Sequence, residues 1–171
     1  MLTIGPDGTI EEERDSEEDA RFYQSWQPAT PWTGKDAEES LIVARSVRAL
    51  PKSCWWNARK VILKLDEYAE AVYVEGFTIA LGCMPIELGW VVRGGLIIDP
   101  TLPESPYPYF PGLEFRGRAG IAEFLASPRA RGLERKPFLC AFGFAGCKSP
   151  SFTQARAQAH HYLWPPSPVG S

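Results

Sequence analysis

From residue 36 to residue 65 the apolar positions recur every three to four residues. In "DAEESLIVARSVRAL", Leu41, Val43, Ala44, Val47 and Leu50 share one face and acids fill the first turn, which predicts a helix ended by Pro51. Ser53 stands as N-cap of a second helix, in which Cys54, Ala58, Val61, Ile62 and Leu65 form a stripe at i, i+4, i+7, i+8 and i+11. Cys54 therefore opens a helix and faces inward. From Val72 the period changes to two: "AVYVEGFTIA" predicts a strand, with Gly76 marking a bulge or the close approach of another segment. "ELGWVV" and "LIIDPT" predict two further strands joined by a glycine turn at "RGG". "TLPESPYPYFPGLEF" reads as proline-punctuated coil, "RAGIAEFLAS" as a short helix and "SFTQARAQAHHYLW" as a terminal helix before the polar tail "PPSPVGS". The expected class is α+β, with helices packed on an antiparallel sheet and no internal repeat.

At 171 residues, 44% hydrophobic and 23% charged, the chain is long enough for one buried core and too apolar for wholesale disorder. The expected layout is an acidic, flexible arm over 1–34, a single domain over 35–164 and a polar tail over 165–171. No run approaches the roughly 18 apolar residues of a membrane span, and "MLTIGPDGTIEEERD" lacks the basic-then-apolar layout of a signal peptide, so a cytoplasmic protein without membrane contact is expected. The four cysteines (Cys54, Cys83, Cys140, Cys147) are too few and too spread for a disulfide framework and read as reduced thiols. Their spacing, with His160 and His161 beyond, matches no zinc pattern, and no cofactor or metal is expected. A glycine-rich phosphate loop and a GxSxG elbow are both missing from the sequence.

Charge changes this picture more than composition does. Net charge is −3, yet residues 1–40 hold eleven acids against three bases, and residues 115–171 hold eight bases against two acids. The arm either solvates itself or lies across the basic side. Alternatively, Arg116, Arg118, Arg129, Arg131, Arg135, Lys136 and Lys148 form a patch for a phosphate-bearing or acidic partner. A protein or peptide partner is the expectation; nucleic acid would have to bind through the basic C-terminal half without any recognised motif.

The motifs of residues 48–117 give the chemistry. A helix opened by cysteine in "SCWWNA", a strand with "YVEGF", a strand with "LGWVV" and a strand ending "IIDPT" follow one another, then "YFPGLEF". This order resembles transglutaminase-like and papain-like thiol enzymes, and an uncharacterised bacterial and phage family with C-x-x-N-A, Y-V-E-G, H-A-W and D-P-T in succession. The resemblance implies a transglutaminase/papain-like core, Cys54 as nucleophile and Asp99 as the residue that orients the base. It also places the base at Leu88, which has no proton acceptor. A helix start favours a thiolate through the dipole and unpaired amides, but without imidazole the set is incomplete.

Three readings follow. The fold is kept and the chemistry lost, leaving a catalytically degenerate domain that binds a partner. Or another group serves as base, in an active cysteine hydrolase or acyltransferase on peptide or acyl substrates; Glu87, Glu75, His160 and His161 are the candidates, although alternation points Glu87 away from Leu88 unless a bulge intervenes. Or Leu88 is core beside Ile86, Trp90 and Val92. Asn57 is an oxyanion donor or a backbone clamp. Trp55 and Trp56 floor a cleft or wedge the helix start against the next layer, and Trp90 is a further cleft candidate.

Overall fold

The computed structural model describes residues 2–4, 10–12, 34–80 and 83–165. Most of the expected arm and nearly all of the tail lie outside the described residues. Two short strands, β1 (Leu2–Ile4) and β2 (Ile10–Glu12), pair antiparallel.

The domain is α+β. Helix α1 (Ala37–Ser46) starts at Asp36, whose carboxylate accepts the Glu39 amide at 2.9 Å. It stops four residues before Leu50, because the chain turns through positive φ at Arg48 (50°). Leu50 thus leaves the apolar face expected of it and is 56% exposed. Helix α2 (Cys54–Lys64) begins where the stripe predicts, with Ser53 at the N-cap position but without a side-chain cap bond.

Strands β3 (Val72–Ala80), β4 (Met84–Arg93), β5 (Leu96–Ile98) and β6 (Tyr109–Arg116) form a sheet ordered β5-β4-β3-β6, antiparallel throughout. β6 corrects the coil expected for this stretch. Its Pro111 is tolerated because β6 is an edge strand. The bulge expected at Gly76 is present, on the β6 side: Glu75 pairs with Leu113 and Gly76 with Pro111, leaving Gly112 as the extra residue. A Cβ on Gly76 would collide with the Phe110 carbonyl and lie 2.8 Å from Cη2 of Trp90, so the close approach is real as well. Helix α3 (Gly117–Ala126) follows β6, then three 3₁₀ turns (Pro128–Ala130, Phe138–Phe142, Phe144–Gly146) lead to α4 (Pro150–Leu163).

Alternation along β3 and β4 splits the core. Tyr73, Val91 and Ile98 pack with Val43, Ala58, Val61, Ile62 and Ile121 from α1, α2 and α3. Phe77, Ile79, Phe110 and Leu113 pack with Phe152, Ala155 and Ala159 of α4. The alternate positions Val74, Leu88, Trp90 and Val92 form a third cluster with Ile97, Tyr109 and Cys54.

Candidate functional site

Cys54 is where α2 passes from one cluster to another. Its next turns enter the main core, whereas Cys54 groups with Leu88, Trp90 and Tyr109. β5 pairs with β4 only from Val91 to Arg93, so the preceding edge of β4 is free of β5. There the backbone amide of Gly89 contacts the Cys54 sulfur, joined by the amide of Trp55. Gly89 permits this approach, since a Cβ would lie 2.8 Å from Trp55 Cα. The glycine of "LGW" thus has a packing reason: it lets the helix start touch the strand.

The thiol is not activated. Burial pushes its pKa up to about 11; the Gly89 and Trp55 amides act against this, and the nearby charges of Asp99 and Glu75 add to it. The helix start alone would favour the thiolate, but here burial outweighs the amides. Leu88, 3% exposed, fills the position opposite Gly76 in the same cluster. Where the resemblance implies imidazole, the thiol shares an apolar cluster.

Asp99 is fully buried, and its charge reaches Cys54, but its oxygens are engaged elsewhere. Oδ1 accepts the amides of Thr101 (2.8 Å) and Leu102 (3.0 Å), and Oδ2 accepts the Tyr109 hydroxyl at 2.7 Å. Lys35 Nζ lies 3.9 Å from Oδ2 and donates to Tyr109 Oη (2.8 Å), to the Ser105 carbonyl (3.1 Å) and to the Leu102 carbonyl. The Lys35 ammonium is lowered in pKa by burial, and Asp99 works against that shift. Lys35 arrives on a short parallel bridge to Ile97 at the outer edge of β5. Sequence reasoning missed both Lys35 and Tyr109: the Lys35 contacts span 67 to 74 residues, and the Tyr109–Asp99 bond spans ten residues across a stretch read as coil.

The other site residues hold the fold together. Asn57, fully buried, accepts the Leu50 amide (3.0 Å) and donates to the Leu50 carbonyl (2.7 Å) and to Thr101 Oγ1 (3.0 Å). It clamps the chain between α1 and α2 to the "DPT" turn, and both its amide protons are used without any oxyanion. Glu75 accepts the Phe138 and Leu139 amides at 2.6 and 2.8 Å and the Tyr73 hydroxyl at 2.5 Å, which caps the Phe138–Phe142 turn. Burial raises its pKa against these hydrogen bonds and the neighbouring Arg59. Glu87 pairs with Phe77 in an unbroken β3–β4 register, so it points away from Leu88, and the bulge it would need lies elsewhere. Trp90 is fully buried against Tyr109, with ring centroids 5.1 Å apart. Trp55 packs on the edge of the same cluster. His160 is exposed on α4 with its ring 4.6 Å from that of Trp164, and neither it nor His161 is among the groups acting on Cys54.

Among the described residues no group of three or more His, Cys, Asp and Glu could hold a metal ion, and no helix is long and apolar enough to cross a membrane. Comparison with protein-family models, curated proteins and solved structures finds no match to the chain.

Proposed function

We propose that this chain is a catalytically degenerate thiol-hydrolase-like domain, transglutaminase/papain-like in its core, that works by binding a partner. The observation that carries the proposal is the state of the would-be catalytic pair. Cys54 is a buried thiol with its pKa near 11 beside Leu88, while Asp99 is saturated by Tyr109, Lys35 and two amides. A nucleophile needs a base within hydrogen-bond reach and a group that orients that base. Here the first is an alkyl group and the second is engaged elsewhere. A helix opened by Cys54 and followed by strands of one antiparallel sheet is what supports the family reading over an unrelated core.

The test is hydrolysis of a panel of peptide and acyl esters by the full chain and by Cys54→Ala. Equal rates, at the background level, are expected. Turnover that disappears with the Cys54 sulfur would sink the proposal and favour the active-hydrolase reading.

A further inference from the structure

The basic patch suggested by the sequence divides in three dimensions. Arg118 is tied to the Ile62 carbonyl (2.8 Å) and to Asp66 (2.9 Å), and Arg116 lines a cleft with Glu67, Glu70 and Glu114. What remains is residues 128–148, with five bases against the single acid Glu134. Near its C-terminal end stands Phe144, 90% exposed, more than any other large apolar residue described.

This exposure is built. Phe144 sits on a 3₁₀ turn between Gly143 (φ 83°) and Gly146 (φ 70°), both in the region that favours glycine. The turn is closed by Gly146 N–H to the Gly143 carbonyl (3.2 Å), Cys147 N–H to the Phe144 carbonyl (3.1 Å) and Lys148 N–H to the Phe142 carbonyl (2.8 Å). Gly146 lies so tightly on Phe152 that a Cβ would fall 2.6 Å from its ring. Two cations flank the turn: the Arg129 guanidinium lies 5.4 Å from the Phe142 ring centroid, and the Lys148 stem lies within 3.4 Å of where a Gly143 Cβ would stand. Arg131 and Arg135 are exposed in the preceding loop, which Arg59 anchors through the Leu133 (3.2 Å) and Lys136 (2.7 Å) carbonyls.

We infer that the Phe144 turn is a docking surface for an acidic protein segment, with Phe144 entering an apolar recess of the partner and Arg129 and Lys148 pairing with carboxylates beside it. A rigid aromatic anchor inside a polar, positive rim is the anatomy of a protein interface. Three of the five bases are arginine, whose planar fork matches a carboxylate with two parallel hydrogen bonds. The inference deepens the binding-protein reading, and rests on it for the kind of function, by naming the surface and the chemistry of the partner.

The test measures binding of the full chain to a glutamate-rich random copolymer containing tyrosine and to polyglutamate of equal length, near physiological ionic strength. The full chain should prefer the tyrosine-bearing copolymer. Phe144→Ser, at a position too exposed to unfold the domain, should abolish that preference with a loss of about tenfold while leaving polyglutamate binding unchanged. Arg129→Glu with Lys148→Glu should weaken both by about tenfold or more. An unchanged Phe144→Ser, no binding by the full chain, or equal binding to phosphatidylserine vesicles or to oligothymidine would overturn the inference. Cys54→Ala should bind like the parent. Cys54-dependent ester turnover with Phe144 binding intact would remove the degenerate-enzyme reading alone.

Discussion

The state of Cys54 leads to a quantitative expectation for alkylation. At pH 8 a thiol with a pKa of about 11 is only about 0.1% ionised, against about one quarter for an ordinary exposed cysteine near 8.5. Ionisation alone makes Cys54 roughly 250-fold slower toward iodoacetamide. A thiolate of higher pKa is intrinsically more nucleophilic, with a Brønsted slope of about 0.4–0.5, and recovers roughly tenfold of this. The net expectation is about 20-fold slower than an unstructured cysteine peptide added as a standard, before the burial of Cys54 lowers it further. Mass spectrometry of each cysteine after timed alkylation from pH 6 to 11 gives four rate profiles in one sample. That of Cys54 should keep rising to about 11, past the point where the standard peptide levels off. If Cys54 instead reacts fastest and levels off below 8.5, some group stabilises its thiolate, and the balance of burial over amide donors argued above is wrong.

The same shift bears on stability. Because the folded pKa of Cys54 is raised from about 9 to about 11, its contribution is fully present below pH 9 and is lost as pH rises to about 11, an amount of about 3 kcal/mol; the difference between parent and Cys54→Ala in denaturant titrations over that range should show it, and parallel curves would refute it. Leu88→His should cost about 2–4 kcal/mol through a buried imidazole and a lost alkyl group, and should leave alkylation slow, since Asp99 is already bonded. Adding Tyr109→Phe releases Oδ2 of Asp99 and should speed alkylation; no gain in the double variant would count against Asp99 as the natural partner of that position. Gly89→Ala places a methyl 2.8 Å from Trp55 Cα and 3.2 Å from its nitrogen, and should destabilise by about 1–3 kcal/mol in urea titrations by pushing α2 off the strand; a neutral result would mean that the helix start is not seated as described.

Periodicity carried the helices at 37–46, 54–64 and 150–163 and the strands from Val72 to Ile98, because each buries one face at its own repeat. It failed at β6, where prolines around and within Tyr109–Arg116 imitate coil although an edge position accommodates Pro111. It failed at Leu50, which kept the helical spacing after the helix had ended at positive φ. Motif order singled out Cys54, Asn57, Leu88 and Asp99, and the structure puts Cys54 and Leu88 in one cluster with the Asp99 charge in reach of the thiol. Their present partners were not legible, since Asn57 bonds across 44 residues to Thr101 and Asp99 is met by a lysine from the start of the domain. Arg59 gave no sign of being buried: a charged residue in an amphipathic helix reads as solvated, yet its guanidinium lies 4.4 Å from the Phe138 ring centroid.

That buried arginine and the Glu75 carboxylate hold one segment from two sides. Arg59 binds the carbonyls of Leu133 and Lys136, and Glu75 takes the amides of Phe138 and Leu139. Although residues 133–139 contain no long helix or strand, these two amides can exchange with solvent only if a fully buried carboxylate lets go. Their exchange should therefore follow opening of the central sheet rather than loop fraying, and the irregular segment leading to the Phe144 turn belongs to the same cooperative unit as β3.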